Sequence, residues 1–285
     1  MNSVRTHAPA KLNLTLEVGS KREDGYHPLT SVMVHIALCD EIIIKRCKEE
    51  GVHFHTNAVY LKNDDKNLCV VAAKRFFETC GIKNEGVEIE LRKLIPSKSG
   101  MGGGRADAAA VIELLERLYG SLDDTTRLSL GLSLGADVPF CMTKTPAICE
   151  GIGEIITPIS LSKKKMYVVV AKNAHKLSTA KVYSDFDENP VKFNGSHASV
   201  IEGLESGNIA LLKNGMANVF EDNIFSTCPE VSALRERLIE LGAYTARMTG
   251  AGPTVFGLFE KRSDAVHALD ALRRDRILSY FAYII

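Results

Sequence analysis

The chain has 285 residues, 45% hydrophobic and 25% charged, with a formal net charge of zero. That length fits two compact domains or one large one, and the neutral balance excludes a general electrostatic pull toward nucleic acid or an anionic membrane. Seven cysteines without a C-x-x-C pair read as buried free thiols of a reducing compartment. Met1 to Ala8 lack the apolar core of a signal peptide and no apolar run approaches about 18 residues, so a cytoplasmic protein without a membrane partner is expected.

In chain order, Ala10 to Val18 alternates as a strand, with Leu12, Leu14, Leu16 and Val18 on one face and Lys11, Asn13, Thr15 and Glu17 on the other. Periodicity alone makes the second face a solvated one. Asp24-Gly25 supplies a tight turn that presents Tyr26 and His27 together; such a pair is structural unless a planar ligand has to be stacked and hydrogen-bonded. Strands follow over Leu29 to Leu38, Ile42 to Lys45 and Val52 to Thr56. An amphipathic helix is expected over Asn67 to Cys80, closed by Gly81. After a strand over Val87 to Leu91, a helix runs from Ala106 to Tyr119 and another from Asp124 to Leu134, and Asp137 stands just past the second, held by Pro139. The polar stretch through Pro158 and Lys163-Lys164-Lys165 marks the expected boundary between domains 1–162 and 163–285. Beyond it come a buried strand over Met166 to Ala171, a short helix capped by Ser178 or Thr179 and reaching Tyr183, and helices over Ser199 to Lys213 and Glu230 to Leu241. Strands over Thr245 to Met248 and Thr254 to Phe259 flank the turn Thr249-Gly250-Ala251-Gly252-Pro253. A helix from Ser263 to Arg274 and a strand from Ile277 to Ile284 complete a ferredoxin-like tail.

The stretch Ile95-Pro96-Ser97-Lys98-Ser99-Gly100-Met101-Gly102-Gly103-Gly104-Arg105-Ala106 has four glycines in five positions and runs into an alanine-rich helix. Glycines leave backbone N–H groups uncovered, and such groups ahead of a helix N-terminus form an anion nest. The reading is a loop that cradles phosphate oxygens; a flexible turn before a helix is the alternative. No Gly-Lys-Ser/Thr closes a Walker A loop. The ribose-binding acid of a dinucleotide fingerprint, expected about 20 residues on, could only be Asp123 or Asp124 in a polar turn.

Pro9-Ala10-Lys11-Leu12-Asn13-Leu14, the glycine-rich loop, Gly135-Ala136-Asp137-Val138-Pro139-Phe140 and Thr249-Gly250-Ala251-Gly252-Pro253-Thr254 occur in that order over nearly the whole chain. This pattern resembles the GHMP small-molecule kinase superfamily. With Asp24-Gly25-Tyr26-His27 it resembles most the branch that acts on a cytidine-diphospho sugar alcohol in non-mevalonate isoprenoid synthesis. The resemblance implies an α+β, two-domain GHMP kinase fold, with a ribosomal S5 domain 2-like N-terminal domain that binds ATP and a ferredoxin-like C-terminal domain. It implies ATP and Mg²⁺ as cofactors, a cytidine-diphospho sugar alcohol as small-molecule substrate, no nucleic-acid partner, and a monomer or weak homodimer.

The resemblance also implies roles. Asp137 takes the proton of the substrate hydroxyl, and Lys11 keeps that carboxyl ionised and offsets charge on the transferring phosphoryl group. Asn13 positions the hydroxyl. Tyr26 and Tyr183 sandwich the cytosine ring, His27 hydrogen-bonds its edge, and Thr179 adds a substrate contact. Lys98, Ser99, Gly100, Gly102, Gly103, Gly104 and Arg105 line the ATP phosphates, Asn67 reaches the adenine, and the turn Thr249 to Gly252 braces the phosphate region. No metal ligand is assigned; Asp107 could reach Mg²⁺ through water. One departure stands out: the family's two serines after the glycine triplet are here Arg105 and Ala106. Either Arg105 pairs directly with a phosphate, or the loop has diverged toward another acceptor or a non-catalytic nucleotide binder.

Overall fold

A computed structural model describes residues 2–83, 86–172 and 177–285. In chain order the elements are β1 (Ser3–Asn13), β2 (Thr15–Val18), β3 (Leu29–Arg46), β4 (Val52–Thr56), α1 (Leu68–Cys80), β5 (Val87–Arg92), α2 (Gly103–Tyr119), α3 (Asp124–Leu134), α4 (Val138–Cys141), β6 (Ala147–Glu150), β7 (Ile155–Pro158) and β8 (Tyr167–Lys172). There follow α5 (Thr179–Glu188), α6 (His197–Ser206), α7 (Ile209–Gly215), β9 (Ala217–Asn218), α8 (Glu221–Thr227), α9 (Pro229–Glu240), β10 (Thr245–Met248), β11 (Thr254–Phe259), α10 (Arg262–Arg274) and β12 (Leu278–Tyr283). The chain forms two compact units, each assembled from separate segments.

Unit 1 comprises Met1–Ala10, Cys39–Ser97 and Gly102–Lys144. Its sheet pairs the second half of β3 antiparallel with β5, and β5 parallel with β4. Ile42, Ile44, Ile89 and Leu91 alternate inward from it and are fully buried, as period-two patterning over a covered face requires. Against them pack α1, through Ala72, Ala73, Phe76 and Phe77, and α2, through Ala106, Ala108, Ala109 and Ala110. The alanines let helix backbones approach closely, while Phe76, Phe77 and Tyr119 fill the remaining space edge to face. Asn67 caps α1 by accepting from the Cys69 N–H, and Gly81 ends it at φ 60°.

Unit 2 comprises Lys11–Leu38, Lys98–Met101 and Thr145–Ile285. A four-stranded antiparallel sheet runs β10-β11-β8-β12, the ferredoxin-like order. Val169, Ala171, Val255 and Phe259 from the sheet, Leu238 from α9 and Leu272 from α10 form its core. Beside it, β2 pairs antiparallel with the start of β3 and parallel with β9, and β6 pairs with β3 and with β7. The expected division at residues 162 and 163 falls within unit 2. All seven cysteines carry free thiols, and Cys69 and Cys149 are the buried ones.

Four expectations are corrected. The strands placed at Leu29 to Leu38 and Ile42 to Lys45 are one strand, β3. Helix α2 begins at Gly103 rather than Ala106, so Gly103, Gly104 and Arg105 form its first turn. The helix placed over Ser199 to Lys213 is two, because Gly207 turns left-handed at φ 71° to close α6 and Asn208 caps α7. The face of Lys11, Asn13 and Thr15, expected in solvent, is buried, for reasons that belong to the site.

Candidate functional site

In unit 2, Lys11 retains only 4% of its surface and Asn13 only 2%. The cost of burying these polar groups is met by hydrogen bonds. Lys11 Nζ donates to Asn13 Oδ1 at 2.6 Å, Asn13 Nδ2 donates to Ser31 Oγ at 2.8 Å, and Ser31 Oγ donates to the Thr15 carbonyl at 2.6 Å. The Asn13 N–H donates to Thr249 Oγ1 at 3.1 Å, whose hydroxyl donates in turn to Asn13 Oδ1. The covering groups therefore come from β3 and from the turn after β10, neither of which strand periodicity can foresee. The Lys11 N–H donates to the Met101 carbonyl at 3.0 Å, so the lysine and the glycine-rich segment are fastened together.

That segment and the turn Thr249 to Gly252 are also interlocked. Lys98, Gly100 and Gly102 take left-handed φ values of 50°, 73° and 70°, an alternation that Lys98 adopts as a non-glycine residue. A Cβ on Gly100 would run into the Thr249 carbonyl oxygen, and one on Gly250 would stand 3.1 Å from the Gly100 carbonyl oxygen. Ser99 is buried, and its hydroxyl accepts from the Met101 N–H at 3.4 Å. Asn218 holds the turn from below: its Nδ2 donates to the carbonyls of Met248 and Gly250 at 3.0 and 2.9 Å, and its Oδ1 accepts from the Phe220 N–H. Sequence reading missed Asn218; the signal was an asparagine flanked by Ala217, Val219 and Phe220, which only a buried backbone contact would favour.

In unit 1, the first turn of the 17-residue α2 presents Gly103, Gly104 and Arg105 after Gly102; the Arg105 and Ala106 N–H groups donate to the Gly102 carbonyl, and those of Gly103 and Gly104 have no acceptor within the helix. Gly104 lies beside Leu68 at the start of α1, and a Cβ on Gly103 would stand 3.2 Å from Lys93 Nζ. Asn67 has both ends of its amide engaged, with Oδ1 accepting from Cys69 N–H and Nδ2 donating to the Lys62 carbonyl at 2.9 Å. Arg105 is exposed and runs along Gly135, whose Cβ would lie 3.7 Å from its Nε. Asp137, two residues further on, is half-buried at the start of α4 and makes no side-chain cap bond there.

Behind this turn sits a buried charge cluster that sequence reading did not assemble. Lys93 Nζ bridges the carboxylates of Asp40 and Asp107, the latter at 2.7 Å, and Asp40 also accepts from the Leu94 and Ile95 N–H groups. Burial pushes the Asp107 carboxyl up to about 8, against the pull of Lys93 and aided by Asp40. Lys93 is raised as well: burial works against its charge, and the two carboxylates outweigh it. Asp107 Oδ1 has no hydrogen-bond partner. No group of three metal-ligating side chains occurs among the described residues.

The residues expected at the substrate base gather in unit 2. His27 is nearly covered, with its ring 5.0 Å from that of Tyr183, which stands 4.9 Å from Phe220. His27 Nε2 lies 2.7 Å from Asp187 Oδ1, a partner that sequence reading missed. Tyr26 is exposed, and Thr179 opens α5 on its exposed side.

Residues 67–145 match the GHMP kinases N terminal domain and residues 200–276 the GHMP kinases C terminal family. A 4-diphosphocytidyl-2-C-methyl-D-erythritol kinase of Caldicellulosiruptor saccharolyticus is 38% identical over 267 residues, 93% of this chain and 91% of its own. The chain belongs to this family of GHMP kinases. A crystal structure of 4-(cytidine 5'-diphospho)-2C-methyl-D-erythritol kinase superposes with a TM-score of 0.85 at 31% identity, covering 99% of both chains. A homoserine kinase from Cytophaga hutchinsonii shares the fold at TM-score 0.76 and 17% identity, over 100% of this chain and 95% of its own. The α+β GHMP kinase fold expected from the motifs is thus the fold of this kinase, a phosphotransferase with an alcohol acceptor. No helix among its described residues is long and apolar enough to cross a membrane.

Proposed function

We propose that this kinase moves the γ-phosphate of ATP onto the 2-hydroxyl of 4-diphosphocytidyl-2-C-methyl-D-erythritol. The observation that carries the reading is the buried Lys11, fixed by Asn13 through its ammonium and tied through its N–H to the glycine-rich segment. A desolvated cation adjoining a phosphate cradle supports charge on a loose phosphoryl transition state far better than one in water. Asp137 accepts the hydroxyl proton late in the transfer. Asn13, its amide already engaged, acts by orienting Lys11. Gly100, Gly102, Gly103 and Gly104 offer backbone N–H groups to the phosphates, flanked by Lys98 and Ser99, and Arg105 adds a charge-assisted contact in place of the serine hydroxyls. Asn67 sets the start of α1 on the adenine side. Mg²⁺ has no dedicated cage among the described residues and accompanies the nucleotide phosphates. Tyr26, His27, Thr179 and Tyr183 receive the cytidine end. The ATP-binding region spans residues 1–162 and the C-terminal region 163–285; the protein works in the cytoplasm as a monomer or weak homodimer.

A coupled ADP-release assay with ATP, Mg²⁺ and 4-diphosphocytidyl-2-C-methyl-D-erythritol tests this. Turnover in the parent chain, abolished by Asp137→Ala and reduced with a raised KM for ATP by Arg105→Ser, is the expected result. A parent chain without turnover, whether or not Arg105→Ser restores it, overturns the assignment and points to a diverged loop.

A further inference from the structure

A histidine can read a nucleobase only if its proton is in a known place, because each ring nitrogen donates or accepts according to the tautomer. Asp187 settles this for His27. A carboxylate is an acceptor only, and at 2.7 Å from Nε2 it requires the proton on that nitrogen. Nδ1, which makes no hydrogen bond to any described residue, is left as the atom that meets a ligand. The placement is built: Asp187 lies four residues after Tyr183 on α5, so both face the same side of the helix. Tyr183 holds the imidazole plane at 5.0 Å and is itself backed by Phe220.

Cytosine and uracil present opposite patterns at both positions that tell them apart. Cytosine has an accepting N3 and a donating 4-amino group; uracil has a donating N3–H and an accepting 4-carbonyl. With the proton held on Nε2, Nδ1 is an acceptor: it complements the 4-amino group of cytosine and opposes the 4-carbonyl of uracil, whereas toward N3 it would favour uracil. A ring free to shift its proton between nitrogens serves both.

We propose that Asp187 is the positioning residue for base choice in this enzyme: by accepting the Nε2 proton of His27 it keeps Nδ1 an acceptor, which pairs with the 4-amino group of cytidine and rejects the 4-carbonyl of uridine. This rests on the cytidine reading of the preceding section.

The test uses the intact chain. Nitrogen-15 shifts of the His27 ring at about pH 8, above the ordinary imidazole value of about 6.5, are expected to show Nε2 protonated in the parent and a mixture with bare Nε2 in Asp187→Asn. Calorimetric titrations with CDP and UDP are expected to show a preference for CDP that shrinks about tenfold in Asp187→Asn, chiefly because UDP binds more tightly. A merely structural role for Asp187 would weaken both ligands together. That outcome, an unchanged CDP:UDP ratio, or bare Nε2 in the parent chain each overturn the proposal. If the parent binds CDP and UDP alike, the cytidine reading itself falls, while the nitrogen shifts still decide whether Asp187 sets the tautomer.

Discussion

Lys11 shows how a single side chain changes meaning once its covering is known. Alternation along β1 and β2 reveals which residues share a face, but not that Ser31 and Thr249, 18 and 236 positions away from Asn13, close over it. Burial strengthens the field of the ammonium and makes its short hydrogen bond to Asn13 consequential. Asn13→Ala is expected to lower kcat by about 10- to 100-fold, with KM for ATP changed far less, in steady-state kinetics. Asp107 offers a second case. Its sequence position, four residues into the glycine-to-helix junction, suggested water-mediated contact with a metal; its partner Lys93 lies 14 residues upstream and Asp40 much further, so the buried cluster was invisible. The carboxyl titrates near 8 when folded and at 3.8 in its ordinary state. Across that interval the folded chain keeps a proton that the unfolded chain has released, so stability falls as pH rises and levels off above. Asp107→Asn carries no such proton. Urea unfolding midpoints measured at several pH values should decline less steeply with pH in this variant than in the parent.

At the scale of elements, caps and periodicity carried most of the information. Asn67 and Gly81 delimit α1 as expected, and the tail from β8 to β12 takes the ferredoxin-like order. Boundaries failed where one residue serves two elements. Glycine disfavours helix, yet Gly103 and Gly104 enter α2; at Gly103, Ile95 and Lys93 leave little room for a side chain, while at Gly104 Leu68 stands at ordinary contact distance. Gly207 and Asn208 end one helix and begin the next with no break in the apolar pattern, so periodicity ran straight through them. The interlock of Gly100 with the turn after β10 makes a strong demand on one position. Gly100→Ala combines a left-handed φ of 73° with a collision against the Thr249 carbonyl, and the segment has to move. At least a tenfold rise in KM for ATP is expected, together with a thermal midpoint lowered by several degrees; an unchanged KM would show that this segment does not hold the nucleotide.

For the whole molecule, the α+β class and the kinase family were legible from four motifs in order, because their residues are the ones that chemistry constrains. The sharing of segments between the two compact units has no such signature. Composition marks a polar stretch near Lys163, whereas the compact units take alternate segments, with β1 and β3 each contributing to both. Such partition depends on contacts across hundreds of residues, which no local signal encodes. The two deeply buried thiols turn this partition into something measurable. Cys69 belongs to unit 1 and Cys149 to unit 2, and burial, with the Asp107 charge beside it, lifts the Cys69 thiol well above its ordinary value, so neither reacts until its surroundings open. The kinase thereby carries two internal clocks. Mass-resolved alkylation under native conditions would time each one, with equal rates marking a molecule that opens as a single body and unequal rates one that breathes unit by unit.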